Sequence, residues 1–361
     1  RSEIQDMRGR IESIARRMKK VKEDPAAGET RDVLLEELEL ERTSLRDMVQ
    51  ALQGTGVYNF LTDTGFLPNY AFPESGITLR SIIYRHVRAA GGGKELRTTF
   101  YEYERPAAAA LRELAPDNSF YAGGRKVVID QVNLRLSERE EWRFCPECSH
   151  SALETAGIAH GGCPRCGALG WQDVAQKHRL LRLRQVQATT SDKRSRSWDE
   201  RDDRQPLHYQ GDLLVHPDAS TISRAWMLEN RRVPFGFEYV GRAAFQDVNF
   251  GVEDPYGEII RVAGSDLPVH GFPVCKHCGR VQNAYAERRH TSTCRYRDEK
   301  EDSVFTEMLY LYREFTTEAL RMLLPATSMD VNDERLQSFI AALYTGLREK
   351  FGGDIDHIKY T

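Results

Sequence analysis

Seven cysteines constrain this chain more than any other feature, because six of them stand in C-x-x-C pairs. Cys145-Pro146-Glu147-Cys148 and Cys163-Pro164-Arg165-Cys166 are two such turns, with fourteen residues between them. One tight C-x-x-C turn supplies two thiolates to one metal, and zinc takes four ligands at tetrahedral angles. Two matched turns at this separation therefore predict a zinc ribbon closed by Cys145, Cys148, Cys163 and Cys166. Gly161, Gly162 and Gly167 supply the backbone freedom such turns need. A redox dithiol and buried free thiols are the alternatives, and two matched turns favour zinc over both. His150 and His160 lie inside the loop, where four thiolates already complete the shell.

The second cluster is less regular. Cys275-Lys276-His277-Cys278 is one turn, and His290 and Cys294 form an H-x3-C pair after it. Together they predict a site of three cysteines and one histidine. His277 and His270 also stand nearby, so the identity of the histidine stays open, as does the alternative that Cys294 is an unrelated buried thiol. Neither set leaves a ligand position vacant, which predicts structural rather than catalytic metal. An odd cysteine count with this tight spacing disfavours a secreted disulfide framework and points to a reducing, cytoplasmic setting.

The rest of the pattern predicts an α+β chain. Its 361 residues are 40% hydrophobic, which suits more than one domain with a packed core. No apolar run approaches a membrane span, so no membrane partner is expected. Residues 1–53 read as an antiparallel helical hairpin. Ile4, Met7, Ile11, Ile14, Met18 and Val21 form one stripe, Leu34, Leu38, Leu45, Met48 and Leu52 another, with a turn at residues 24–30. This hairpin carries 11 basic and 12 acidic side chains, so its surface has no net sign.

Residues 54–140 read as a mixed α/β accessory domain. It has a short helix near residues 57–62, a strand from Ile77 to Val87, a helix with Pro106 at its first position, and a hairpin over residues 119–129 turning at Gly123-Gly124. Residues 141–190 hold the ribbon and a strand-like stretch from Arg179 to Ala188. Residues 191–205 read as a charged loop. Residues 206–361 read as a terminal domain: β-rich around Leu213–Val215 and Phe235–Val240, then the second metal site, then two closing helices. The first of these is marked by Val304, Met308, Leu311, Phe315 and Leu320, the second by Leu336, Ile340, Leu343, Leu347 and Phe351.

The net charge is −3, so any contact with nucleic acid must come from local patches. Lys177 to Arg196 holds seven basic residues and one acidic, and Cys275 to Arg297 holds six and one. Arg179, Arg182 and Arg184 mostly alternate, as a strand would present them, and Lys193, Arg194 and Arg196 follow with Trp198 as a stacking ring. These seven are the candidate nucleic-acid-binding residues. The alternative is a solvated face paired with Asp199, Glu200, Asp202 and Asp203. No catalytic constellation stands out: Gly91-Gly92-Gly93-Lys94 is followed by Glu95 and lacks the spacing of a phosphate loop. His357-Ile358-Lys359 matches only the start of an H-x-K phosphotransfer motif.

Several segments together resemble a known family. Leu67-Pro68-Asn69-Tyr70-Ala71-Phe72-Pro73 resembles the "LPxYxFP" signature that follows the motor domains of very large superfamily 2 DEAD/DEAH-box helicases. The stretch from Arg105 to Pro116, followed by Gly124-Arg125-Lys126-Val127, resembles their next segment. Pro234-Phe235-Gly236-Phe237, Asn249-Phe250-Gly251 and the stretch from Glu318 to Pro325 resemble the terminal domain of mitomycin-repair-type (MrfA-like) helicases. Relatives of this layout occur in bacterial anti-phage systems such as Druantia and DISARM. The resemblance implies a cytosolic, ATP-driven DNA helicase, with DNA as substrate and other defence-system subunits as further partners. ATP and Mg would bind in motor domains of the same polypeptide that precede Arg1. On this reading the chain is a piece of a longer protein, and its terminal domain continues past Thr361. The rival class is a non-enzymatic zinc scaffold that recruits protein partners. A nuclease-linked module becomes the better reading only if further sequence completes the motif at His357 and Lys359.

Overall fold

In the computed structural model, residues 2–23, 30–54, 76–88, 94–155, 161–196, 207–228, 235–282, 290–324, 334–352 and 358 are described. The expected turn at 24–30 falls almost wholly outside these residues, as do the short helix at 57–62, the Gly91–Gly93 loop, His160, Trp198 and His357 with Lys359. The fold is α+β, with strands in the majority.

The chain divides into two compact units: residues 1–211 with 248–313, and residues 212–247 with 314–361. In the first unit, α1 (Ser2–Glu23) and α2 (Thr30–Gly54) pack together along their apolar faces. Met7, Ile14, Met18, Leu38, Leu45, Met48 and Val49 form their shared core, which also takes in Phe100 from a neighbouring strand. That strand belongs to a sheet. β1 (Gly76–Arg88) pairs antiparallel with β2 (Lys94–Pro106) in unbroken register from Gly76 opposite Pro106 to Arg88 opposite Lys94. Alternate β1 residues bury opposite faces of the sheet: Ile77, Leu79 and Ile83 on one, Arg80 and Ile82 on the other.

The chain then enters α3 (Ala107–Glu113). Pro106 precedes this helix at its cap and ends β2, one position earlier than the first-turn placement expected for it. β3 (Ser119–Ala122) and β4 (Arg125–Val128) form the predicted hairpin. Its turn residues Gly123 and Gly124 both have positive φ, 57° and 71°, a conformation open to glycine and costly for most other residues. β5 (Gln131–Val132) follows, then β6 (Glu138–Phe144) and β7 (Ser151–Leu153) around the first cysteine turn.

The stretch expected as one strand from Arg179 to Ala188 is two strands in different sheets. β8 (Lys177–Arg182) pairs with β6, and β9 (Gln185–Ser191) pairs with β1 and β5. Leu181, Leu183, Val186 and Ala188 all enter the main core as the chain crosses between the sheets, so the apolar run continues through the break. The charged loop begins as a helical turn, α4 (Asp192–Ser195), whose Ser195 is fully buried.

Next come β10 (Tyr209–Pro217), β11 (Ile222–Met227), β12 (Gly236–Val262), β13 (Ser265–His270) and β14 (Phe272–Cys275). After the second cysteine cluster the chain makes α5 (Asp302–Phe305) and then β15 (Thr306–Leu323). β15 corrects the expectation of a helix marked by Val304, Met308, Leu311, Phe315 and Leu320. Its first half pairs antiparallel with β14 and parallel with β8, and Leu309, Leu311 and Tyr312 are all buried. A strand covered on both faces reads as a nearly continuous apolar run, which contains i, i+3 and i+4 spacings by necessity. Thr306, Tyr310, Tyr312, Phe315, Thr316 and Thr317 are the β-branched and aromatic residues that favour the extended form. The second expected helix is present as α6 (Glu334–Phe351), with no buried residue on it.

The main core of the first unit joins β1, α3, the β3–β4 hairpin, β5, β8, β9, β14 and the start of β15. The second unit holds most of β10, all of β11, the first part of β12, the end of β15, and α6. There Phe245 stacks on Phe315 at 5.2 Å, and Val240, Ala243 and Leu214 are buried. No described helix is long and apolar enough to cross a membrane.

One buried group gives the first unit a pH dependence. His178 on β8 lies between Phe144 (5.3 Å) and Tyr310 (5.5 Å), and its Nε2 has no hydrogen-bond partner. Burial, assisted by the charge of Arg143, pushes its imidazole down to about 4. The unfolded chain takes up that proton near pH 6.5, so this contribution to stability is full above pH 6.5 and is lost as the pH falls towards 4. The loss at pH 4.5 amounts to roughly 2 to 3 kcal/mol. His178→Phe should lose less stability than wild type between pH 7 and pH 4.5, measured as denaturation midpoints in matched zinc. Equal losses in the two proteins would remove His178 as the cause.

Candidate metal centres

Each C-x-x-C turn is a backbone device before it is a metal site. At the second turn of the ribbon, the Gly167 N–H donates to the Cys163 carbonyl (2.8 Å), and the Cys163 N–H donates to Ala168 O (3.0 Å). At the second site the same pair of bonds recurs: the Gly279 N–H to Cys275 O (2.8 Å) and the Cys275 N–H to Arg280 O (2.8 Å). Gly167 and Gly279 each follow the turn's second cysteine, with φ of 78° and 71°. A Cβ at Gly279 would sit 2.0 Å from the Val132 carbonyl, so the close approach of β5 also requires glycine there. Gly279 went unremarked in the sequence, although the C-x-x-C-G repeat was visible as its signal.

The four thiols of the first site converge. Cys145 Sγ lies 3.6 Å from Cys166 Sγ, and Cys148 Sγ 3.8 Å from Cys163 Sγ. A tetrahedron with zinc–sulfur bonds of about 2.3 Å has sulfur–sulfur edges of roughly 3.8 Å. At the second site Cys275 and Cys294 sulfurs are 3.7 Å apart, and His290 Nδ1 lies 3.5 Å from Cys294 Sγ and 3.9 Å from Cys278 Sγ. In each set the four donor atoms lie within 4.8 Å of one another. The two sites thus fit two zinc ions. Among the described residues the second set is completed by His290 through Nδ1, which settles the open choice of histidine, and Cys294 is a member of it. His277 turns instead towards the Tyr296 ring (6.3 Å), and His150 packs on Trp171 (5.2 Å) outside the first shell.

Burial makes several of these thiols poor thiolates without a cation, although the hydrogen bond with the Cys278 thiol lowers Cys275. It pushes Cys145, Cys148 and Cys294 upward, while the Ala168 N–H pulls the exposed Cys166 down. A divalent ion offsets the cost of the buried negative charge, because zinc binds the deprotonated thiol outright.

Both sites are bolted to the first unit. Arg143, 3% exposed, makes a two-pronged pair with Glu154 and donates to the carbonyls of Trp171 (2.8 Å) and Asp173 (2.6 Å). The β12–β13 turn donates from Ala263 and Gly264 to the carbonyls of Cys145 and Pro146 (3.0 and 2.7 Å). At the second site Gln131 donates to Cys278 O (2.7 Å), and Arg280 pairs with Asp130 at 2.6 Å. The helical hairpin grips the same site: Arg17 donates to Ser292 O, and the Ser292 N–H donates to Glu41 (2.9 Å).

The expected nucleic-acid residues are placed differently from one another. On β8, Arg179 and Lys177 lie on one face, both against Glu141, with Arg179 also on Glu307. Arg182 lies on the other face, over the Tyr312 ring, and both it and Arg184 reach Glu138. Parity along the strand therefore separates Arg179 from Arg182. Arg196 pairs with Asp192, which also holds Arg125 at 2.8 Å. Lys193 and Arg194 are exposed on α4. The carboxylate partners are thus Glu138, Glu141, Glu307 and Asp192, while Asp199, Glu200, Asp202 and Asp203 lie outside the described residues. At the second metal site, Lys276 (5.2 Å) and Arg295 (4.5 Å) both approach the ring of Tyr296, a basic and aromatic cluster.

Comparison with protein-family models, with curated proteins and with solved structures finds no match.

Metal analysis of the purified chain should find two zinc ions. Cys145→Ser and Cys294→Ser should each lose one, and each should expose its own module to protease. Structural zinc contributes on the order of 10 kcal/mol to the folding of such modules. A single zinc in wild type, retained in Cys294→Ser and lost in Cys145→Ser, would leave only the ribbon as a metal site.

Proposed function

We propose that this chain is the zinc-braced accessory region of an ATP-dependent DNA helicase or translocase of bacterial anti-phage defence, acting in the cytoplasm. ATP and Mg belong to motor domains of the same polypeptide, and other subunits of the defence complex are its further partners. The observation that carries the reading is that both metal sites have four protein donors and knit distant segments together. Such sites brace a structure and have no open position for substrate. The motif order around Leu67–Pro73, Arg105–Pro116 and Pro234–Phe237 supports the helicase class by resemblance.

The basic clusters support binding of a strand. Tyr296 offers a ring on which a base stacks, with Lys276 and Arg295 beside it to meet phosphates. The arginines of β8 are already matched by carboxylates, so they contribute less to a phosphate track than their number suggests. A scaffold that recruits proteins is the second reading. It is favoured by the edge of β11, where Trp226 and Met227 are 53% and 72% exposed.

Affinity for single-stranded DNA, measured at several salt concentrations, tests the choice. Lys276→Gln with Arg295→Gln should weaken binding alike for all sequences. It should also reduce the log–log salt slope by roughly one unit for each phosphate that is no longer neutralised. Superimposable salt curves for wild type and the double variant, or no DNA binding by wild type, would favour the scaffold.

A further inference from the structure

The register of the β1–β2 ribbon sets two cations against each other. Arg85 of β1 stands directly opposite Arg97 of β2, and both side chains are exposed. Residues opposed in this way share a face, with Cβ atoms about 5 Å apart, and like charges in that position repel. By strand parity their face is the one that Ile77 and Leu79 bury in the main core further along β1.

More positive charge lies beside this pair. β9 runs parallel to β1 with Ser191 next to Tyr84, so α4 begins where Arg85 stands. Lys193 and Arg194 of α4 are exposed. Asp192, the acidic residue of α4, is already shared by Arg125 at 2.8 Å and Arg196 at 2.7 Å. Arg125 lies 6.0 Å over the ring of Tyr101, which has the same strand parity as Arg97. Glu95, opposite Val87, is the other acidic residue at this end of the ribbon. Six cations thus meet two acidic residues. Among the described residues, neither Arg85 nor Lys193 has a carboxylate partner. This sets the region apart from β8, whose arginines meet Glu138, Glu141 and Glu307.

The cations stand on three adjacent strands or their continuation, spaced about 4.8 Å apart, on an open surface. A small anion would meet one or two of them. A polyanion meets several at once and releases its own counterions as it binds, which favours the long ligand. A phosphate between Arg85 and Arg97 would also relieve their repulsion. We propose that this end of the sheet binds the phosphate backbone of DNA, with Arg85 and Arg97 gripping one stretch and Lys193 and Arg194 the next. This track rests on the strand-binding reading above and shares no residue with the cluster at Tyr296.

The zinc-loaded 361-residue chain is titrated into labelled single-stranded DNA of mixed sequence, and anisotropy is read at several salt concentrations. Arg85→Gln with Arg97→Gln should weaken binding and lower the log–log salt slope by about 1.4, at about 0.7 for each of two lost phosphates, with two zinc ions retained. Lys193→Gln with Arg194→Gln should lower the slope in the same way. Arg85→Lys with Arg97→Lys keeps both charges and should keep the wild-type slope. If only Lys276→Gln with Arg295→Gln changes the slope, the strand-binding reading stands and this track falls. If wild type shows no salt-dependent DNA binding, the two fall together. An Arg85→Gln, Arg97→Gln protein that holds both zinc ions and keeps the wild-type slope and affinity would overturn the proposal.

Discussion

The two metal-site anchors of the first unit depend on the demand that buried sulfur makes for a positive partner. Cys145, Cys163, Cys275 and Cys294 are buried, and the turns that hold them point the donors inward whether or not the surrounding chain is apolar. Once a divalent ion satisfies that demand, short loops with little hydrophobic content become rigid anchors. The β12–β13 turn then has fixed carbonyls to donate to, and Arg143 has fixed carbonyls and a carboxylate to grip. The helical hairpin likewise has a firm loop at Ser292 against which to close.

The hairpin and the sheet meet through this arrangement. One face of β1 and β2 lies towards the hairpin core through Phe100, and the other faces the main core through Ile77 and Leu79. A helix pair with nearly as many basic as acidic side chains has little electrostatic reason to choose one docking position. The specific bonds from Arg17 and Glu41 to the second metal loop supply that choice.

The legible parts of this molecule were those with local signatures. Ligand spacing located both metal sites, heptad stripes located the hairpin, and Gly123-Gly124 located a turn, because each depends on residues a few positions apart. The parts that misled were those where non-local pairing decided. β15 carried a helical spacing, yet β8 and β14 supply hydrogen bonds and apolar cover on both its sides, which no local pattern reports. The stretch from Arg179 to Ala188 looked like one strand because both halves are apolar, but its halves have partners in different sheets. The basic residues of β8 were visible as charge, while Glu138, Glu141 and Glu307, brought in from β6 and β15, were not visible as their partners. The choice of His290 over His277 likewise needed the loop to close in space.

Every cysteine of the chain belongs to one of the two donor sets, four in the first and three in the second, with a histidine supplying the eighth donor. The odd thiol count is therefore not a spare reactive group but the arithmetic of a mixed site. No thiol is left over to be modified independently of the metal. For this chain, thiol chemistry and metal occupancy are a single variable: an electrophile or oxidant that consumes a cysteine must at the same time evict a ligand. Oxidative damage would register first as loosened architecture at one of the two anchors.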